Sequence, residues 1–415
     1  MQELITLTVK EKVRYEVIRD SLKGIIKIRD ASLILNLSSR QIYRLRKRVR
    51  DGGIKGIVHR LRTRPSVRKI NTATHSTIKT LYKTRYYGFN FTHFTEYLNQ
   101  KENIKISRES VRKILRSEET LYPHRPKRQP KHRIRRQPMP QEGLLSQMDT
   151  SEHLWIPALD RNIYLILIVD DATNKIQNAR FTLSDTTIEN MKVLKEFFQM
   201  KGLPYAIYLD RDSKFKTTRY TGIHYNLKGE PYPDTQIKRA LNSLGIQLIY
   251  ATSPQAKGRI ERDFRTLQDR LINELRLHRI TTIHRANHYL KEHFIPTWNR
   301  IFTRPAHIKR PAYRNIPPNI SLNDIFSLKY KRKACSDNTI SYNGSKYQIL
   351  PDPYRASYAK CEIEVFEHLD GKISLFYKGR RLTYRKIARI KPGKDEGLAI
   401  KRLLSRGDIS ILQKR

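Results

Sequence analysis

The spacing of apolar and polar positions changes character along the chain. Up to about residue 120, apolar residues return at intervals of three and four, the period of a helix with one buried face. In SSRQIYRLRKRVR, 38–50, Ile42, Leu45 and Val49 share one stripe while Arg40, Arg44, Lys47 and Arg48 lie off it. Ser38 followed by Gln41 three positions on is a capping-box start. RDASLILNL, 29–37, predicts a short helix and a tight turn just before it. The pair reads as a helix-turn-helix whose second helix can enter a major groove. Further helices are predicted over 74–85, 91–101 and 107–117. The last has Val111, Ile114 and Leu115 inward and Arg108, Arg112, Lys113 and Arg116 outward, as a second helix-turn-helix-like unit would.

From 144 the pattern turns to strands and helices in alternation. LLSQMD (144–149), NIYLILIVDDA (162–172), IQNARFTL (176–183), YAIYLD (205–210) and IQLIYA (246–251) read as strands. The second is nearly all apolar, as a central strand covered on both faces is. Helices are predicted over 186–202 and 235–245, each closed by a glycine, and from the 251–264 stretch to about Leu277. Three strands in series followed by alternating helix and strand describe a mixed five-stranded sheet between helices. After 306, Asn343-Gly344 and Asp370-Gly371 mark hairpins in short alternating strands, the pattern of a small basic β-barrel or sheet. The expected organisation is therefore multidomain α/β: DNA-binding helical units over 1–64 and 65–120, a linker over 121–143, a catalytic core over 144–305 and a C-terminal basic β domain over 306–415.

Charge sharpens this outline. Lys and Arg number 83 against 39 Asp and Glu, a formal +44 over 415 residues. Such a field attracts polyanions, with double-stranded DNA the leading partner. The linker carries Arg133 and Arg135 among many bases, with prolines at 123, 126, 130 and 138 that forbid a regular helix, so it can track a phosphate backbone. A membrane partner is not expected: no basic amphipathic helix adjoins an apolar anchor, and the longest apolar run, IYLILIV, is too short to span a bilayer. Cys335 and Cys361 lack zinc-site spacing, and the first residues lack the apolar run of a signal peptide, so a cytoplasmic, nucleoid-associated location is expected.

The candidate chemistry lies in three acids. In ATSPQAKGRIERDF, 251–264, Ile260, Phe264, Leu267, Leu271 and Leu275 begin and continue a buried stripe, beside a second stripe of Lys257, Glu261, Arg265 and Gln268. Glu261 thus sits at the edge of the core. Asp149 and Asp210 close the first and fourth predicted strands. If those strands are neighbours, both carboxylates project towards the helix bearing Glu261. Three hard oxygen donors suit two Mg²⁺ or Mn²⁺ ions for in-line phosphoryl transfer. Lys257, Arg259, Arg265 and Lys214 are candidate phosphate contacts around them, as Arg40, Arg44, Lys47, Arg108 and Arg112 are on the helical units.

LLSQMDTSEHLWI, YLILIVDDATNKI, YAIYLDRDSKF and IQLIYATSPQAKGRIERDF, in that order, resemble the DDE integrase-type transposases of bacterial insertion sequences, closest to the group called ISNCY. The resemblance covers about 144–305 and implies a ribonuclease-H-like fold, with Asp149, Asp210 and Glu261 as the metal-holding triad. It further implies cleavage at element ends, 3′-hydroxyl strand transfer and a homo-oligomer on DNA. A catalytically inactive DNA-binding regulator and a sequence-tolerant nuclease are the competing classes. Here 50 residues separate Asp210 from Glu261, more than in many integrase-like enzymes, which leaves Asp212 open beside Asp210. The added aromatic, basic stretch at 216–234 is read as an inserted loop whose Tyr220, Tyr225 or Tyr232 can stack on bases.

Overall fold

The computed structural model describes residues 6–59, 70–116, 137–216, 234–251 and 259–387. The chain divides into two compact units, Met1–Leu81 and Tyr82–Arg415.

The first unit contains α1 (Val9–Leu22), α2 (Ile28–Leu35) and α3 (Ser39–Gly52). Val17, Ile18, Ala31, Ile42, Val49 and Ile57 form its core. The predicted capping box is present: the Gln41 N–H donates to the Ser38 hydroxyl, and the Gln41 side chain accepts from the Ser38 N–H. Asn36, in the left-handed region at φ 49°, turns the chain between α2 and α3. Asparagine tolerates that conformation because its short polar side chain adds little steric cost. α4 (Thr72–Thr84) carries the boundary between the units.

In the second unit, α5 (Phe91–Gln100) and α6 (Arg108–Arg116) form where the periodicity places them, with Val111, Ile114 and Leu115 buried. Then come β1 (Leu145–His153), β2 (Ile163–Asp170), β3 (Ile176–Thr182), α7 (Thr187–Lys201), β4 (Ala206–Leu209), α8 (Gln236–Ser243), β5 (Gln247–Tyr250) and α9 (Ile260–Leu277). The sheet is five-stranded, in the order β3-β2-β1-β4-β5. β1, β2 and β3 are antiparallel in sequence, whereas β1 pairs with β4, and β4 with β5, in parallel.

Both faces of this sheet are covered, which is why β2 reads as an unbroken apolar run. On one face Met148, Ile166, Ile168, Ile207 and Leu209 pack with α7 and α8. On the other, Leu165, Leu167 and Val169 meet the stripe Ile260, Phe264, Leu267, Leu271 and Leu275 of α9. α10 (Ile283–Tyr289), one π-helical turn (Leu290–Phe294) and α11 (Ile295–Ile301) continue that second layer.

Two features depart from the sequence reading. β1 does not end at Asp149 but continues to His153, paired with β2 throughout. The polar run TSEH concealed this, because only alternate residues of a strand meet the core. α9, in turn, buries charged residues as well as its apolar stripe. Arg270 and Glu274 are nearly enclosed by α5. The Arg270 guanidinium donates to both Glu96 carboxylate oxygens, at 2.7 and 2.9 Å, and lies over the Phe302 ring. Glu274 meets His93 Nε2 at 3.0 Å and accepts from the Tyr289 hydroxyl at 2.7 Å. Asn90 and Asp269 add a further hydrogen bond.

The chain after α11 returns across the core. Leu203 and Arg314 exchange backbone hydrogen bonds of 2.8 and 2.9 Å, and the Arg314 guanidinium donates to the Gly245 carbonyl. A Cβ on Gly202 would meet the Arg314 carbonyl oxygen at 2.7 Å, so this crossing requires glycine there. α12 (Leu322–Ile325) and Phe326 then pack beneath α7. β6 (Leu328–Lys333), β7 (Thr339–Tyr342), β8 (Ser345–Ile349), β9 (Glu362–Glu367), β10 (Ile373–Tyr377), β11 (Arg380–Leu382) and β12 (Tyr384–Ile387) follow. They make a four-stranded sheet, β11-β10-β9-β6, and a three-stranded sheet, β12-β8-β7. One core of Ile340, Tyr347, Ile349, Ile363, Val365 and Leu375 lies between them. Both predicted hairpins are present, at Asn343-Gly344 and Asp370-Gly371.

Removing one partner of a buried ion pair strands the other in a medium that cannot solvate it. Arg270→Ala is therefore expected to destabilise the second unit by about 3 kcal/mol, read as a shifted urea midpoint. Lys291→Ala, at an exposed site nearby, is expected to leave the midpoint in place.

Candidate functional site

The register of the two central parallel strands sets the site. Leu145, Ser146 and Gln147 of β1 pair with Ala206, Ile207 and Tyr208 of β4. Two further steps along the same offset bring Asp149 level with Asp210, which follows the last residue of β4.

Side-chain alternation then fixes the face. Met148, Ile207 and Leu209 belong to the α7 side of the sheet. Asp149 sits directly opposite Leu167 of β2, which belongs to the α9 side. Asp210, one residue past Leu209, falls on that same side by the two-residue period. Both aspartates are half-buried.

α9 lies over this face. Its Gln268 side chain donates to the Ser151 hydroxyl at 3.4 Å, two residues beyond Asp149 on the same face of β1. Glu261 precedes Gln268 by seven positions, two turns of helix, and so shares its side of α9. Glu261 is exposed. The structure thus puts the three predicted acids on one side of one sheet and brings the two aspartates level. It does not close Glu261 onto them: among the described residues, no three acidic, histidine or cysteine side chains converge tightly enough to hold a metal ion. Lys257, with the segment 252–258 that leads into α9, lies outside the described residues, as do Arg133 and Arg135, and Tyr220, Tyr225 and Tyr232.

Asp212 has other partners. Its carboxylate accepts from the Ser213 hydroxyl and the Lys214 N–H, and meets the Lys214 ammonium at 3.2 Å. Burial works to raise its pKa, but these Lys214 contacts outweigh it and hold the group below its ordinary value. Asp210 in turn accepts from the Asp212 N–H at 3.1 Å, a turn that fixes the end of β4. Lys214 bridges Asp212 and Asp185. Burial lowers its pKa, yet the Asp185 and Asp212 carboxylates raise it overall, so its charge is kept and already met within the chain.

Arg259 takes a role that sequence reasoning missed. Its guanidinium is ion-paired at 2.6 Å with the fully buried Asp171. Asp171 also accepts from the Gln147 amide at 2.5 Å and the Met139 N–H at 2.9 Å. The start of α9 is thereby tied to the β2–β3 turn and to β1, the strand of Asp149. Arg304 holds the same turn, donating to the carbonyls of Asp171 and Ala172. In the sequence, Asp170 and Asp171 read as the end of the second strand closing a hairpin, with no local sign of Arg259 as a partner. Asp263 accepts from the Asn174 amide at 3.2 Å, and its second carboxylate oxygen is buried without a partner. Burial pushes its pKa up to about 6, against the opposing effects of Asn174, Arg262 and Arg304.

The bases on helices are less committed. Arg40, Tyr43, Arg44 and Lys47 are all exposed on α3, opposite buried Ile42 and Val49. Arg265 is exposed one turn after Glu261. Arg108 is exposed, whereas Arg112 is paired with Glu109 in two hydrogen bonds.

Comparisons with known proteins identify the family. The family described as a helix-turn-helix domain matches residues 13–66. A Sinorhizobium fredii protein assigned as a transposase, y4bF, is 31% identical over 388 residues, covering 92% of this chain and 82% of its own. The transposase for insertion sequence IS1202 of Streptococcus pneumoniae is 31% identical over 400 residues, covering 88% of this chain and 84% of its own. The chain belongs to the transposases of bacterial insertion sequences. The sheet of this transposase has three antiparallel strands followed by two parallel ones. The HTLV-2 integrase catalytic core domain in complex with magnesium aligns with 41% of the transposase and 94% of its own chain at 12% identity and a TM-score of 0.28, a likeness too slight to build on.

The raised pKa of Asp263 has a consequence for stability. A carboxyl whose folded-state pKa lies above its unfolded value of 3.8 favours folding fully below that value, and the contribution is lost as pH rises through about 6. In metal-free buffer, Asp263→Asn is expected to melt above the parent at pH 7.5, with the gap closing by pH 4. Paired melting curves across this range check it.

Proposed function

We propose that this transposase cleaves DNA at the ends of its element and joins the freed 3′-hydroxyl to target DNA, with Asp149, Asp210 and Glu261 as the catalytic carboxylates. The observation that carries the reading is the parallel β1–β4 register, which brings Asp149 and Asp210 level on the face covered by the helix of Glu261.

The donor set fits a hard divalent cation, since two carboxylates held level on adjacent strands repel each other unless positive charge lies between them. Mg²⁺ or Mn²⁺ ions, two in number, would there activate the attacking oxygen and stabilise the leaving one. The chain's own residues do the rest. Asp149 and Asp210 stay fixed on the rigid sheet, while Glu261 completes the donor set from α9. Arg265, exposed one turn on, and Lys257 are placed along the chain to meet the phosphates flanking the scissile bond. Arg259 acts through Asp171 as a positioning residue for the start of α9. The exposed row Arg40, Arg44 and Lys47 reads the element end in the major groove, and α6 offers Arg108 to the backbone. A homo-oligomer holding two ends, acting on the nucleoid in the cytoplasm, is part of this reading.

That Glu261 does not close on the aspartates favours a second reading, a DNA-binding regulator without chemistry. One assay separates the two. Labelled element ends are incubated with the protein, Mg²⁺ and target DNA, and joined products are counted. Joining is expected from the parent chain and lost on adding EDTA. In Asp149→Asn, Asp210→Asn or Glu261→Gln it should drop on the order of 10³-fold or more, with affinity for the ends intact. End binding with no joining by the parent chain sinks the first reading.

The α3 row makes a separate expectation. In the triple variant Arg40→Ala, Arg44→Ala, Lys47→Ala, preference for end DNA over mixed-sequence DNA is expected to fall. Each lost phosphate contact should also make the salt dependence of log Kd shallower by about 1. Fluorescence anisotropy at several salt concentrations measures both.

A further inference from the structure

A groove of about 770 Å³ lies between α7 and α12 on one side and the C-terminal sheets on the other. Its walls carry Lys195 of α7, Lys372 of the β9–β10 turn, Arg381 of β11 and Lys386 of β12, with Asp324 and Asp370 as the acids. Asp370 is met by Lys372 at 3.2 Å. Lys195 and Lys386 have no acidic partner among the described residues. The groove therefore carries net positive charge within reach of a ligand.

Its cations are prearranged. The Arg381 guanidinium donates to the Ser374 hydroxyl at 3.0 Å, and that hydroxyl also meets His368 Nε2 at 2.8 Å. Ser374 is buried. One edge of the guanidinium is thus fixed to the floor, leaving its other N–H groups for a planar anion. Tyr384 and Lys386, two residues apart on β12, share one face of their strand. The Tyr384 ring is held edge-on against Tyr347, and its hydroxyl donates to the Ile373 carbonyl. A half-buried aromatic surface next to unpaired cations suits a sugar beside its phosphate.

The position adds a second argument. α7, α12 and Leu369 belong to the layer on the far side of the sheet from α9. Asp149, Asp210 and Glu261 belong to the α9 side. DNA in the groove is therefore a different stretch from the one presented to the acids.

We infer that this groove binds the sugar–phosphate backbone of DNA without regard to sequence, holding a second stretch of DNA behind the catalytic sheet. The choice of DNA as the polyanion rests on the transposase reading. The binding itself does not depend on any bond being cut.

Lysine footprinting of the full chain tests it. The protein is treated with an acetylating reagent, alone and saturated with a mixed-sequence duplex, and the rate at each lysine is read by mass spectrometry. Acetylation of Lys195 and Lys386 is expected to slow several-fold on DNA, in the parent and in Glu261→Gln alike. In a second measurement, the triple variant Lys195→Gln, Arg381→Gln, Lys386→Gln is expected to bind the duplex with a salt slope shallower by about 2.7, at 0.9 per contact. Lys201→Gln, Lys291→Gln, Arg300→Gln removes as much charge from exposed sites elsewhere and controls for the general field. Unchanged acetylation at both lysines overturns the inference, as does a slope in the groove variant equal to that of the control. Failure of strand joining with the footprint present removes the proposed chemistry and leaves the groove standing.

Discussion

Parallel pairing of β1 with β4 at the centre of the five-stranded sheet is the constraint on which the rest depends. It joins two strands distant in sequence and sets their offset through the pairs Leu145–Ala206, Ser146–Ile207 and Gln147–Tyr208. The offset holds because both faces are buried: a slip of one residue would turn Met148, Ile207 and Leu209 out of one core and carry polar side chains into it. Stability and the geometry of the candidate site are thus linked through one register. The packing that makes the slip costly is also what sets Asp149 beside Asp210.

The second organising element is α9. It lays an apolar stripe on the sheet, ties its start to Asp171 through Arg259, and presents Arg270 and Glu274 to α5. Each contact comes from a different part of the chain: the sheet, the β2–β3 turn and the helical segment before the core. A helix held on three sides has little freedom to rotate about its axis. The orientation of Glu261 is consequently set by residues as far off as Glu274, about three and a half turns away.

Much of this was legible in the sequence where local periodicity carries the information. The capping box of Ser38 and Gln41, the apolar run of β2, the stripe of α9 and the two Gly-containing hairpins all formed as their patterns predict. What escaped was long-range polar pairing. Nothing local marks Arg270 and Glu274 as buried, because burial of a charge depends on a partner, and Glu96 and His93 lie more than 170 positions away. Arg259 and Lys214 read as free bases for the same reason, though each meets acids supplied by distant turns. The end of β1 was misplaced because TSEH is polar on the alternate positions that a solvent-facing edge allows. Of the candidate site, the sequence placed Asp149 and Asp210 on or beside strands, though it ended the first strand too early. Their shared face and level required the register, which no local pattern contains.

The crossing of Leu203 and Arg314 bears on how the protein can be taken apart. Tyr313, Ile316, Ile320, Leu322 and Phe326 complete the apolar layer around Phe197 and Phe198 of α7. A fragment cut at the apparent close of the catalytic pattern, near residue 305, would leave that layer open to water and bring an oily surface to its neighbours. A soluble piece of the sheet domain has to retain this returning strap as far as Phe326, so the interior of that domain is completed by chain lying beyond the apparent close of its pattern.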